Sequence, residues 1–171
     1  MSGKLVGLMI LVAAAMVGAG VYYAQVFGYY EELPSDQAKV ELTTYAGALE
    51  PILFSEFRAI DAESSPIRYR ACFSTQMSQA LLTETYEIYD AAEPLNAPGW
   101  FECFDAKALG AEIAAGTATA FVGQRNFEFG IDRIVAITED GRGYVWHQVN
   151  DCGDKLYDGS PKGDQCPERT Q

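Results

Sequence analysis

Residues 131–149 read IDRIVAITEDGRGYVWHQV. Two β-rich runs, IDRIVAIT and GYVWHQV, flank Glu139-Asp140-Gly141-Arg142, and Asp-Gly is the preferred chemistry of a tight type I′ turn. The stretch therefore predicts an antiparallel hairpin that closes a folded domain. Just upstream, TATAFVG (117–123) reads as a further strand. Before it lies AKALGAEIAAG (106–116), a helix with Asp105 as N-cap, Ala106, Leu109 and Ile113 on one face, and Gly116 to end it. Residues 87–102 carry the breakers Pro94, Pro98 and Gly99 and predict an irregular stretch. In PIRYRACFS (66–74), Ile67, Tyr69, Ala71 and Phe73 alternate with Arg68, Arg70 and Cys72, the period-two pattern of a half-buried strand. Ser74 is placed to cap a short helical piece carrying Met77, Ala80 and Leu81, and Val40–Tyr45 and Ile52–Ile60 have strand character. The sum is an α+β domain over residues 38–150, a mostly antiparallel sheet with one or two short helices. A polar stalk, EELPSDQ (31–37), precedes it, and a polar tail, 151–171, follows.

The first thirty residues are of another kind. From Leu5 to Phe27 only Gln25 is strongly polar, and as a helix this run is about 35 Å long, enough to cross a hydrocarbon core. Tyr22, Tyr23, Phe27, Tyr29 and Tyr30 crowd its C-terminal end, where an interfacial aromatic belt belongs. Residues 1–30 therefore read as a transmembrane anchor. With Lys4 at one end and Glu31-Glu32 at the other, the positive-inside rule keeps the N-terminus cytoplasmic and sends the domain across. A cleaved signal peptide, with Val17-Gly18-Ala19 as its cleavage site, is the competing reading. Gly3, Gly7, Ala14 and Gly18 share one helical face, the kind of stripe that lets a partner helix in an integral membrane complex approach closely.

Charge is as unevenly spread. All 24 acidic residues lie beyond residue 30, against 11 of the 12 basic ones, so the outer part carries about −13. Such a field repels nucleic acid and favours basic partners. Cys72, Cys103, Cys152 and Cys166 form no C-x-x-C, and the single histidine, His147, cannot complete a usual zinc set. Two disulfides on the non-cytoplasmic side are the expectation. Of the three possible pairings, Cys72–Cys103 with Cys152–Cys166 is favoured, because the second pair would staple an otherwise loose tail.

Signatures of catalysis are missing from the chain: there is no G-x-S-x-G, Walker A loop, H-E-x-x-H or dinucleotide fingerprint. His147 alternates with Trp146 and Gln148 in a strand, which favours a structural role. Asp151, Asp154, Asp158 and Asp164 do not match the spacing of a calcium loop, so no metal and no cofactor are expected. Arg68 and Arg70 are candidates to receive an anionic group, with ion pairing as the default. Trp100 and Phe101 in PGWFECF are candidates for a recognition knob beside them, although a proline-broken loop that folds its aromatics back onto the core is the favoured reading.

The anchor ending in YY, EPILFSEFRAIDAESSPIRYRACF (50–73), LTETYE (82–87), APGWFECFDA (97–106) and FGIDRIVAITEDGRGYVWHQVNDCG (129–153) together resemble an uncharacterised family of small anchored proteins. Its members come from photosynthetic and related alphaproteobacteria. IRYRACF and DGRGYVWHQ are the most specific parts of the likeness. The resemblance implies lineage and envelope location, with the domain in the periplasm of an inner-membrane protein. Some members carry a histidine kinase label, which this sequence does not support: it has no ATP-binding module. The resulting expectation is a non-enzymatic accessory or assembly subunit of an inner-membrane complex, respiratory or photosynthetic by the lineage implied. A basic soluble electron carrier is a further partner that the acidic domain would suit. The alternative is a membrane-anchored periplasmic sensor or small-ligand-binding module.

Overall fold

A computed structural model describes residues 2–34, 36, 38–163, 166 and 167, so Asp164 and stalk residues Ser35 and Gln37 lie outside the described set. The chain forms two compact units, residues 1–30 and 31–171. In the first, helix α1 (Gly3–Tyr23) runs on into one π-type turn, Ala24–Gly28. Together they make a 26-residue helix long and apolar enough to cross a membrane, none of it buried within the chain. At its end Tyr23 stacks on Phe27 with ring centroids 5.8 Å apart.

The second unit is an α+β domain. Strands β1 (Glu31–Leu33), β4 (Ser55–Asp61), β5 (Arg70–Ser74), β6 (Ala118–Glu128), β7 (Ile131–Thr138) and β8 (Arg142–Val149) form one sheet in the order β1-β4-β5-β8-β7-β6. Every neighbouring pair is antiparallel. Strands β2 (Glu41–Thr43) and β3 (Leu49–Pro51) pair as a separate hairpin. Two helices complete the domain, α2 (Gln79–Thr85) and α3 (Ala106–Ala115). The β6 edge is covered by an extended segment, since Tyr89 N–H donates to the Ala120 carbonyl and Val122 N–H to that of Glu87, both at 2.8 Å.

Register defines the two faces. Ala59, Ala71, Val145, Val135 and Phe121 line up across five strands and are all buried. With Val40, Leu42, Leu82 and Tyr86 they build the core beneath the β2–β3 hairpin and α2. The next row, Ile60, Arg70, Trp146, Ile134 and Val122, faces the other way and is equally buried. It lies under the loop that leads into α3: Phe104 meets the rings of Tyr144 and Trp146 edge-on at 5.8 and 6.4 Å. Both faces of this antiparallel sheet are therefore covered, and β5 is buried along Arg70–Phe73 instead of half-buried.

Four further expectations need correction. Glu31–Leu33 is not stalk but an edge strand paired with Ala59–Asp61. The β5 side of the pattern begins only at Arg70, because Pro66 starts a single 3-10 turn, Pro66–Arg68. Helix α2 is capped by Ser78, whose side chain accepts from Leu81 N–H, and not by Ser74, which ends β5. The hairpin turn is not type I′. Glu139 and Asp140 keep negative φ, and Gly141 alone takes φ +85°, giving a three-residue loop that ends on a left-handed glycine. Asp140 is held below the usual carboxylate range, to about 2, by its bonds from Arg142 and Thr138. Helix α3 follows its sequence signals: Asp105 accepts from Lys107 and Ala108 N–H, and Gly116 ends it at φ +76°.

Candidate functional site

Arg70 comes from the buried row of the sheet, and its guanidinium is spent on the backbone. Nε donates to the Leu95 carbonyl at 2.7 Å, Nη2 to Asn96 at 3.1 Å, and Nη1 to Ile67 and Tyr69 at 2.8 and 2.6 Å. The ion sits over the Phe104 ring at 5.8 Å. Four carbonyls and one aromatic face make this side chain a clamp that fixes the 91–105 loop on the sheet. It is not presented to an anionic ligand, which corrects the sequence expectation. Arg68 closes the Pro66–Arg68 turn and is half-buried. Trp100 is half-buried and stands edge-on to Phe101 at 6.3 Å. None of the three lines either of the cavities described below.

The cysteines pair as Cys72–Cys103 and Cys152–Cys166. The first bond ties the same loop to β5 that Arg70 clamps. The second closes the tail into a loop, within which Lys155 bridges Pro161 and Leu156 N–H donates to the Ser160 carbonyl at 2.8 Å. On α1, a Cβ added at Gly3, Gly7 or Gly18 would meet nothing within 4 Å.

His147 is 3% exposed and stacked on Tyr69, with ring centroids at 4.8 Å. Arg133, its register partner on β7, donates through Nε to His147 Nε2 at 3.0 Å. A guanidinium only donates, so Nε2 is the acceptor and Nδ1 carries the proton given to the Pro66 carbonyl at 2.6 Å. Burial drives the imidazole pKa down to about 3, and the charges of Arg133 and Arg70 add to that effect, while the Pro66 bond opposes it. Both ring nitrogens are engaged inside the structure. Arg133 itself lies over Tyr69 and Phe127, at 5.4 and 5.1 Å.

Two cavities flank the point where β8 runs into the tail. One is a polar cleft of about 880 Å³, lined by Tyr89, Arg125, Asn126, Asp132 and Asn150 among others, with Asp90, Glu93, Asp151 and Asp154 on its walls. Asp132 organises its floor. It is 1% exposed and accepts from Asn126 N–H at 2.8 Å, Asn150 Nδ2 at 2.6 Å and the Tyr89 hydroxyl at 3.2 Å. Arg125 bridges Glu87 at 2.6 Å and Asp132 at 3.7 Å above the Tyr89 ring. Burial, then the neighbouring Asp132 charge, pushes the Tyr89 hydroxyl up to about 12. The second cavity, about 370 Å³, is apolar: Phe129, Ile131, Val149 and Pro161 line it, with Lys155 and the backbone of Gly130 and Gly153. Among the described residues no group of three or more His, Cys, Asp or Glu side chains gathers as a metal site requires.

Sequence reasoning passed over this end of the sheet. One signal was available: Asp132 shares the inward phase of β7 with Ile134 and Ala136, and a carboxylate there calls for partners. Those partners, Asn126, Asn150 and Tyr89, come from distant elements that no local pattern announces.

The model of a family described as a family of unknown function (DUF6446) matches residues 40–167. No curated protein and no solved structure matches the chain.

Proposed function

Because the chain belongs to that family of unknown function, its role has to be argued from its own geometry, and we propose a non-enzymatic accessory or assembly subunit of a larger inner-membrane complex. In this reading α1 anchors the chain in a bacterial inner membrane and the disulfide-bearing domain faces the periplasm. The observation that carries it is the 26-residue apolar helix, no part of which is buried within its own chain. On its small-residue stripe, Gly3, Gly7, Ala14 and Gly18, a Cβ added at any of the three glycines would meet nothing within 4 Å, which suits the close approach of a neighbouring helix. The resemblance to alphaproteobacterial proteins makes a respiratory or photosynthetic complex the first candidate. The net charge of about −13 beyond residue 30 suits a basic soluble electron carrier as a transient partner.

Affinity purification of the tagged full chain from its native membranes in mild detergent, followed by mass spectrometry, tests the reading. Stoichiometric recovery of one complex, lost when Gly7 and Gly18 become Leu, supports it. Recovery of the protein alone overturns it. Intact mass of the purified chain decides in the same experiment between a retained anchor and a cleaved signal sequence.

The polar cleft around Asp132 favours a second reading, a membrane-anchored sensor or small-ligand-binding module. A thermal shift of the full chain with a small ligand, abolished by Asp132→Asn, is its signature.

A further inference from the structure

The apolar cavity between the β6–β7 turn and the tail is built, not left over. Gly130 takes φ +81°, and a Cβ there would lie 2.5 Å from the Gly153 Cα, so the two backbones meet with nothing between them. Asn150 N–H donates to the Gly130 carbonyl at 2.9 Å, and Asn150 Oδ1 accepts from Cys152 and Gly153 N–H at 2.9 and 3.2 Å. Beyond Gly153 the wall is made by Lys155, Gly159 and Pro161, in the segment tied by the Lys155–Pro161 bridge. The resulting volume of about 370 Å³ falls within the range of small-molecule pockets.

The lining states the chemistry of its occupant. Phe129, Ile131, Val149 and Pro161 supply apolar surface, and among the described lining residues Lys155 is the one ionisable side chain, Cys152 being disulfide-bonded. In a domain where carboxylates outnumber cations about two to one, none of the described carboxylates lines this cavity. The acids beside Lys155 in sequence are directed elsewhere: Asp154 lines the polar cleft, and Asp158 accepts from the Ser160 hydroxyl at 2.6 Å and its N–H at 3.0 Å. Among the described residues Lys155 makes no ion pair.

We propose that this cavity binds a small amphiphilic monocarboxylate, its apolar body seated against Phe129, Ile131, Val149 and Pro161 and its carboxylate on the Lys155 ammonium. The site stands apart from the helix-packing reading and gives the ligand-binding reading a ligand class, at a place other than the Asp132 cleft. Its failure therefore leaves co-purification through α1 and the Asp132→Asn thermal shift to be judged separately.

The test uses the full chain in lipid nanodiscs, with methyl NMR of Ile131 and Val149 as readout and 3-phenylpropionate as probe. Saturable shifts at both methyl groups are expected with the carboxylate, and none with 3-phenylpropylamine at the same concentration. Lys155→Gln weakens binding about tenfold, the loss of one charge-assisted contact. Lys155→Glu reverses the preference toward the amine, an outcome that a purely structural lysine would not produce. Both substitutions are at an exposed position and leave the core untouched. Equal shifts with carboxylate, amine and alcohol, an unchanged preference in Lys155→Glu, or no shift up to millimolar probe overturns the proposal.

Discussion

The ring of Phe73 on β5 lies against the bare backbone of Gly143, its register partner on β8. A Cβ on Gly143 would fall 2.1 Å from Phe73 Cζ. The glycine is required by its neighbour and not by its own backbone, because here the ring occupies the volume of the missing side chain. Gly143→Ala is expected to destabilise the domain by about 3 kcal/mol, the upper part of the range for overpacking. In a Phe73→Leu background the same change should cost far less. Urea unfolding of the four proteins of this double-mutant cycle measures the coupling, and additive effects would show that ring and glycine are independent.

Arg70 is expected to tolerate no substitute. Arg70→Lys keeps the charge but brings a single ammonium to a place where four carbonyls are fixed by a planar fork. A loss of about 3 kcal/mol is predicted, with amide exchange rising first in the 91–105 loop. If Lys proves as stable as Arg, the clamp is a surface contact in disguise.

His147 sets a pH dependence whose sign follows from its neutral buried ring. Its folded pKa, about 3, lies below the unfolded value of about 6.5, so between those limits the unfolded chain binds the extra proton. The contribution is full above pH 6.5 and is lost as pH falls, at about 1.4 kcal/mol per pH unit. His147→Gln should flatten that part of the stability profile. Since this is the only histidine, its ¹⁵N resonances are read directly, and a titration midpoint near 6.5 in the folded protein would contradict the buried tautomer.

The two disulfides should fail differently. Replacing Cys72 and Cys103 by Ser opens a link spanning 31 residues and lowers global stability by about 3–4 kcal/mol in the loop-entropy account. Replacing Cys152 and Cys166 frees only a terminal loop. Amide exchange is expected to quicken at Leu156, Gly159 and Lys162, whose bonds lie inside that loop, while Val135 and Val145 stay protected. Exchange measured residue by residue separates the two outcomes.

What the sequence made legible were features whose determinants sit side by side. The α3 boundaries follow from Asp105 and Gly116, and the β7–β8 hairpin follows from two β-rich runs around a turn. Asp-Gly announced a turn but not its type, because the choice between a two- and a three-residue loop rests on how Thr138 and Arg142 meet. Arg70 was misread because alternation reports which phase is polar and is silent on what covers it; the cover comes from carbonyls of Leu95 and Asn96. Glu31-Glu32 looked like stalk since an edge strand needs little apolar surface. The cavity beside Lys155 depends on Gly130 meeting Gly153, a contact between segments with no shared pattern.

The strand order has a consequence for how the chain comes into being. β5 sits at the centre of the sheet, yet its neighbour β8 is the last of that sheet's six described strands in chain order. On a nascent chain, RACFS therefore waits with one edge unpaired until Arg142–Val149 has been synthesised. Through that interval the exposed edge is open to pairing with the wrong partner, a hazard for whatever machinery handles the chain. Truncation ahead of residue 142 would likewise not trim a margin; it would remove β8 from the middle of the sheet and leave the three strands β1-β4-β5 and the pair β6–β7 with nothing to join them.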